Sequence, residues 1–249
     1  MKYYFYDSRN NIELFDMFKD QIDNSNIVSI PDEADCIICC GGDGTLLDIF
    51  QKYPNKYIFP IRNYSRCEKH QIIDFTFTNA YYGNIIECYK DSLFHDNLSK
   101  FIGISELVIK NQDISKAMRC SLKINDKIYA ENIIGDGIIC STPLGSTGYF
   151  KNIANTFFTS GIGIGFINNT QGMTNLIIDN NSKVEIEILR GRCSYAVDHY
   201  VDDIEEGEKI QIKYSNFYVR ILNYKNIFMC NDCRNKRHSA YVNTIYSVI

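Results

Sequence analysis

The stretch DCIICCGGDGTLLDIF, residues 35–50, constrains this chain more than any other. Five apolar residues from Cys36 to Cys40 read as a short strand buried on both faces. The Gly41-Gly42 pair then lets the backbone turn sharply and come close to a ligand. Thr45 is predicted to cap a helix over residues 46–53, so the loop opens onto a helix N-terminus whose amides and dipole attract anions. Asp43 stands at the tip of that turn. A carboxylate beside polyphosphate is repelled unless it binds a metal or accepts a proton, so its place in a phosphate cradle predicts chemistry as well as binding. The loop lacks both the Gly-Lys-Ser/Thr of a Walker A motif and the GxGxxG dinucleotide fingerprint.

Around this unit the chain has the means to build a full core. Its 249 residues, 45% of them apolar, suit two modest domains or one large one. The net charge of −4 argues against a dedicated nucleic-acid binder, so no nucleic-acid partner is expected. Anionic substrates must then be met by local devices: loop amides, Mg²⁺ and a few Lys or Arg. The N-terminus reaches polar residues within seven positions and no apolar run approaches membrane-spanning length, so a cytoplasmic protein without a membrane partner is expected. The ten cysteines then read as reduced thiols. Cys36, Cys39, Cys40 and Cys140 sit in apolar runs, where Cys acts as a small hydrophobe. Cys230 and Cys233 form a CxxC with His238 nearby, half of a zinc pattern without a second ligand pair.

Taken in order, residues 2–6 read as a first strand, and Ile12, Phe15, Phe18 and Ile22 fall on one helix face. Residues 57–61 form another strand after the central βα passage. The beginning is therefore α/β, with a parallel sheet and a site at the carboxyl ends of its strands. After about Phe101 the period becomes alternating. Leu107 to Ile109, a hairpin turning at Asn125-Asp126, and the alternating runs around Val184, Ile210 and Phe217 predict a β-rich, sandwich-like second domain. The expected division is 1–100 for the α/β domain and 101–224 for the β-rich domain, with the tail 225–249 folding back on the first. GIGIG at residues 161–165 has the wrong spacing for a nucleotide loop and reads as a strand where backbones pack closely.

The second chemical stretch is DGIICSTPLGSTGY, residues 136–149. It holds a carboxylate at a Gly turn, a short apolar strand, then Ser141, Thr142, Ser146 and Thr147 around Pro143 and Gly145. So many hydroxyls and flexible amides suit ribose hydroxyls, a carboxamide or phosphates, and Tyr149 offers a face for a base to stack on.

GGDGT resembles the phosphate loop shared by NAD kinases, diacylglycerol and sphingosine kinases and phosphofructokinases. DGxxxSTPxGSTxY after GGDGTLL narrows that to a resemblance to the NAD kinase family, covering roughly residues 35–224. The resemblance implies a Rossmann-like N-terminal domain, a C-terminal β-rich domain and an active site between them. The reaction implied is phosphorylation of the adenosine ribose 2′-hydroxyl of NAD by ATP, giving NADP. It implies Asp43 as the catalytic carboxylate, and Gly41, Gly42, Gly44 and Thr45 as holders of the ATP phosphates, with Mg²⁺ or another divalent cation bridging them. It also implies NAD contacts from Ser105, Glu106, Asp136, Ser141, Thr142, Ser146, Thr147, Gly148 and Tyr149. Glu106 matches the Glu of an Asn-Glu pair, Asp136 a residue meeting the nicotinamide riboside, and Thr147 to Tyr149 the adenine pocket. ATP and NAD are then the partners, in a homodimer or homotetramer.

Several positions depart from the family pattern. Ser105 replaces the Asn of the Asn-Glu pair, and His199 follows Asp198 where the family has Asp-Gly. PIRNYSRCEKH stands in place of a glycine-rich loop, and Ala154 and Asn155 replace paired glycines. Pro-His and Arg-Pro elements have no counterpart in NNTQGMTNLIID. These changes leave two other readings open: a kinase of the same fold with a nucleoside-type or lipid acceptor, and a non-catalytic NAD(P)-binding regulator.

Overall fold

The computed structural model describes residues 1–6, 22–61, 80–91 and 99–222, and the chain divides into two compact units. The first comprises Met1–Tyr82 together with the chain from Val219 onward, and the second Gly83–Tyr218. The expected helix through Ile12 and Phe18, residues 62–70 of PIRNYSRCEKH, the tail and the Cys230/Cys233 pair lie outside the described residues.

In the first unit β1 (Tyr3–Tyr6), β2 (Cys36–Cys40) and β3 (Tyr57–Ile61) pair in parallel with β2 in the middle. All five residues of β2 are buried, as a strand covered on both faces requires. Cys36, Ile38 and Cys40 pack with Tyr3, Phe59 and Ile61 on one face. Helix α1 (Asp43–Lys52) packs on β2 and β3, burying Leu46, Ile49 and Phe50 at i, i+3 and i+4. Each such side chain contributes about 1.5–3 kcal/mol on full burial. Residues 27–30 form no strand; Ile27 makes a single bridge to Tyr3, and Pro31 opens a short 3-10 turn, Pro31–Glu33.

The second unit is a β sandwich. One layer is β6 (Glu106–Asn111), β9 (Gly137–Ser141), β10 (Ile162–Ile167), β11 (Leu176–Ile178), β13 (Cys193–Val197) and β14 (Tyr200–Ile204), antiparallel in the order β11-β10-β9-β6-β13-β14. The facing layer holds β7 (Met118–Ile124), β8 (Lys127–Gly135), β12 (Val184–Arg190) and the first part of β15 (Lys209–Leu222), in the order β15-β12-β7-β8. Leu107, Ile109, Ile138, Cys140 and Tyr195 from one layer meet Leu122, Ile186, Ile188 and Ile212 from the other. The β7–β8 hairpin turns at Asn125-Asp126, both at positive φ, as the sequence predicts.

Two further strands, β4 (Ala80–Asp91) and β5 (Ser99–Gly103), pair antiparallel, so the β structure begins ahead of the change of period at Phe101. Ile86 and Cys88 of β4 already alternate into the sandwich core. The six-stranded layer is covered on its outer face too, by helix α2 (Tyr149–Ala154), whose Phe150 packs with Ile139 and Phe158. That double covering explains why β9 and β10 are buried throughout. GIGIG is a strand in close contact: a Cβ at Gly163 would come 2.4 Å from the Phe158 ring.

Candidate active site

The phosphate loop leaves the carboxyl end of β2 and is held by the neighbouring strand, since the Gly41 amide donates to the Ile61 carbonyl at 2.9 Å. Gly41 has φ +158°, and a Cβ there would lie 2.1 Å from Thr45 Oγ1, so no other residue fits without displacing Thr45. Helix α1 starts at Asp43 with Gly42 as its N-cap, three residues before the start expected from Thr45. Gly42 takes the extended cap conformation itself, which brings Thr45 into the first turn with its side chain against Gly41. Gly42 supplies no side-chain cap, so the first-turn amides keep the anion-binding character of an open helix N-terminus. Asp43 is thus the first helical residue, and it is exposed, as are Gly42 and Gly44. A Cβ at Gly42 would meet nothing within 4 Å.

In the second unit, the loop after β9 is stiffened by its own hydroxyls. Thr142 Oγ1 donates to the Ile104 carbonyl at 2.6 Å and accepts from the Gly145 amide at 3.1 Å. Ser146 Oγ lies 2.7 Å from the Pro143 carbonyl and accepts from the Phe158 amide at 3.3 Å. Ser141 Oγ donates to the Thr142 carbonyl at 3.1 Å. All three side chains are fully buried and bonded to main chain, while Thr147 and Tyr149 are half-buried and Gly148 is exposed. The outward surface of the loop is therefore formed by its last three residues together with the half-buried Leu144. Gly145 lets the loop rest on the Ser105 backbone, because a Cβ there would lie 2.3 Å from the Ser105 carbonyl oxygen.

Ser105 and Glu106 are positioned from below by Asp198. Its carboxylate accepts the amides of Ile104, Ser105 and Glu106 at 2.8, 2.9 and 3.1 Å. The sequence offered Asp198 only as half of an Asp-Gly pair, and its anchoring role depends on the β13–β14 turn bringing it beside β6. In that turn Asp198 has φ +51° whereas His199 does not take positive φ, so a side chain at 199 in place of Gly costs no backbone strain. Burial, then repulsion from Asp198, pushes the Glu106 carboxyl up to about 7. Among the described residues Glu106 Oε2 is buried without a hydrogen-bond partner, and a buried unsatisfied acceptor of this kind marks a candidate ligand contact. The Asp198 carboxyl is also raised by its burial, against the pull of the three amides.

Asp136 is not gathered with these residues. It precedes β9, where Gly137 pairs with Lys110, whereas Ser141 at the far end of β9 pairs with Glu106. Five strand steps separate it from Ser141, roughly 16 Å. Its carboxylate accepts Asn168 Nδ2 at 2.8 Å. One ring face of Tyr149 is taken by Lys110, whose Nζ lies 4.6 Å from the ring centroid. The other departures from the expected pattern have local explanations. Asn155 ends α2 at φ +57°, a left-handed position that Asn accepts nearly as readily as Gly. In NNTQGMTNLIID, Asn169 accepts the Met173 amide of the same segment, while Gln171 and Asn175 accept the amides of Ile134 in β8 and Phe166 in β10.

A parallel α/β unit whose glycine loop delivers an aspartate at a helix N-terminus, together with a β sandwich bearing a hydroxyl-braced STP loop, defines a nucleotide-binding protein built for phosphate chemistry. Residues 104–224 match the ATP-NAD kinase C-terminal domain. An NAD kinase of Clostridium perfringens is 25% identical over 212 residues, 77% of this chain and 76% of the relative. One of Ruminiclostridium cellulolyticum is 25% identical over 244 residues, 84% and 80% of the two chains. One of Lactobacillus gasseri is 29% identical over 147 residues, 53% of this chain and 54% of the relative, so that match spans about half of each. Among solved structures, yeast NADH kinase complexed with NADH superposes with a TM-score of 0.74 at 12% identity, covering 94% of this chain and 84% of the other. The NAD kinase from Archaeoglobus fulgidus in complex with ATP gives 0.67 at 19%, covering 91% and 95%. Over most of its length the chain is similar to NAD kinases, and residues 104–224 match the C-terminal domain of that family.

Proposed function

We propose that this protein is an NAD kinase, transferring the γ-phosphate of ATP to the adenosine ribose 2′-hydroxyl of NAD to give NADP. The observation that carries the reading is the place of Asp43: an exposed carboxylate on the first residue of α1, directly after a glycine pair at the end of a buried parallel strand. The amides of the first turn hold triphosphate oxygens through the N-terminal dipole. Asp43 accepts or orients the proton of the attacking 2′-hydroxyl, and Gly42, with open space where a side chain would be, leaves the loop backbone accessible to phosphate. The relatives named NAD kinase and the ATP and NADH complexes of its structural neighbours support the choice of substrates.

Glu106 receives a donor group of the acceptor nucleotide on its unsatisfied oxygen, and the rim formed by Thr147, Gly148 and Tyr149 borders the same ligand. Among the described residues no group of three His, Cys, Asp or Glu converges. A divalent cation bound with ATP would neutralise the charge of its phosphates. The test is incubation of the purified chain with Mg-ATP and NAD, with NADP read by an NADP-specific dehydrogenase. NADP that accumulates only when both substrates are present is the expected result. None above a protein-free control overturns the reading, and NADP binding without turnover replaces it with a regulator.

A further inference from the structure

Strand β6 presents one chemical face outward. Leu107 and Ile109 are fully buried in the sandwich core, so Glu106, Val108 and Lys110 share the opposite face, where Val108 packs against the cluster under α2. Glu106 stands at one end of this row with an unsatisfied carboxylate oxygen. Lys110 stands at the other, four residues or roughly 13 Å along the strand. Tyr149, from the loop that borders the nucleotide in the reading above, lies beside Lys110, its ring centroid 4.6 Å from the ammonium, and the next residue, Phe150, donates its backbone amide toward the Glu106 carboxylate.

Lys110 differs from most of the described lysines. Eight others, including Lys52, Lys100 and Lys123, lie within 4.0 Å of a carboxylate. Among the described residues no carboxylate lies within that distance of Lys110, which is exposed and held only over an aromatic face. An exposed cation–π contact is a weak hold compared with a charge-assisted hydrogen bond to a phosphate oxygen. A flexible four-carbon stem rooted one strand length from Glu106 suits an anion joined to the group that Glu106 receives.

We propose that Lys110 contacts the diphosphate of the dinucleotide acceptor, making it a specificity residue for a nucleotide that carries phosphate beyond its ribose. This rests on the NAD kinase reading for the ligand, and it adds a contact that the loop motifs do not include. The alternative, that Lys110 serves the triphosphate of the donor, separates from it kinetically.

The experiment compares wild type with Lys110→Met and Lys110→Arg by calorimetric titration with ADP-ribose, which carries the diphosphate, and adenosine, which does not. The expected result is about tenfold weaker ADP-ribose binding in Lys110→Met, equivalent to about 1.4 kcal/mol. Adenosine affinity stays within twofold, and Lys110→Arg recovers most of the loss. In the coupled assay KM for NAD rises by a similar factor while KM for ATP is unchanged. Equal ADP-ribose affinity in wild type and Lys110→Met overturns the inference, as does an equal loss for adenosine, which would mean that Lys110 only supports Tyr149. A rise confined to KM for ATP overturns it in favour of the donor. If wild type makes NADP and Lys110→Met behaves as wild type, the function stands and the inference fails. If wild type makes no NADP yet loses ADP-ribose on substitution, the reverse holds.

Discussion

Glu106 and Asp198 hold each other by a reciprocal pair of bonds: the Glu106 amide donates to Asp198 Oδ1 at 3.1 Å, and the Asp198 amide donates to the Glu106 carbonyl at 3.0 Å. The backbone thus forces two carboxylates close together in a place where water reaches neither freely. Among the described residues Glu106 Oε2 is left without a partner, and its carboxyl is raised from 4.5 to about 7. A raised carboxyl means that the folded state favours the protonated form. Its contribution to stability is full below the unfolded value near 4.5 and is lost as pH rises through about 7. The ceiling is about 3 kcal/mol, from 1.36 kcal/mol per unit. Glu106→Gln carries no charge and does not repel Asp198, so it should be more stable than wild type at pH 8 and close to it at pH 4.5. Calorimetric melts at the two pH values check this, and a gap that does not widen with pH contradicts it.

The two glycines that open the phosphate loop should respond oppositely to the same substitution. At Gly41 a methyl group meets Thr45 Oγ1 at 2.1 Å in a backbone region that L-residues rarely adopt, whereas at Gly42 it meets open space. Gly41→Ala is expected to cost about 3 kcal/mol, a fall of roughly 6–12 °C in Tm for a chain of this size. Gly42→Ala should melt within about 2 °C of wild type yet raise KM for ATP about tenfold, since the added methyl occupies the approach of a phosphate. Thermal melts and ATP titrations of the pair separate a structural glycine from a ligand-facing one.

The hydroxyls of the STP loop divide in the same way. Ser146 Oγ bonds to the main chain of both Pro143 and Phe158, and removing it leaves the buried Phe158 amide without that acceptor. Ser146→Ala should cost about 1–3 kcal/mol, visible as a lowered Tm. Thr147→Ala should leave Tm nearly unchanged and act on KM for NAD, because Thr147 sits on the outward surface of the loop. A lowered Tm in Thr147→Ala with unchanged KM would assign that hydroxyl to structure as well.

How much of this was legible in the sequence depends on whether a signal was local. The buried run of β2, the Asn125-Asp126 hairpin and the alternation of β12 are properties of adjacent residues, and they emerge as read. The helix start was misplaced because Thr45 is a better cap by type than Gly42, while the turn geometry set by Gly41 decides in favour of Gly42. The pattern of hydroxyls in STPLGST marked the loop correctly, but no sequence periodicity shows that three of them face inward to carbonyls and amides. Asp198 and Lys110 were not picked out as site residues because their roles depend on contacts over 92 and 39 residues of chain, which only the strand order supplies. Asp136 shows the reverse: its short sequence distance from Ser141 suggests proximity, and an extended strand places them at opposite ends of the sheet.

Asp43 offers the sharpest test of the chemistry, because its substitution separates charge from shape. As the first residue of α1 it is exposed, and Asn retains the size of the side chain and is itself acceptable near a helix start, so Asp43→Asn should fold normally. Phosphate binding rests on backbone amides and on the cation carried by ATP, so affinity for Mg-ATP should be preserved or slightly improved by loss of a negative charge. What the amide cannot do is accept the proton of the 2′-hydroxyl, and turnover should fall by roughly 10²-fold or more. Single-turnover NADP formation, measured alongside ATP binding and a thermal melt, distinguishes the cases. Loss of ATP affinity together with activity would make Asp43 a binding residue, and unchanged turnover would remove it from the chemical step altogether.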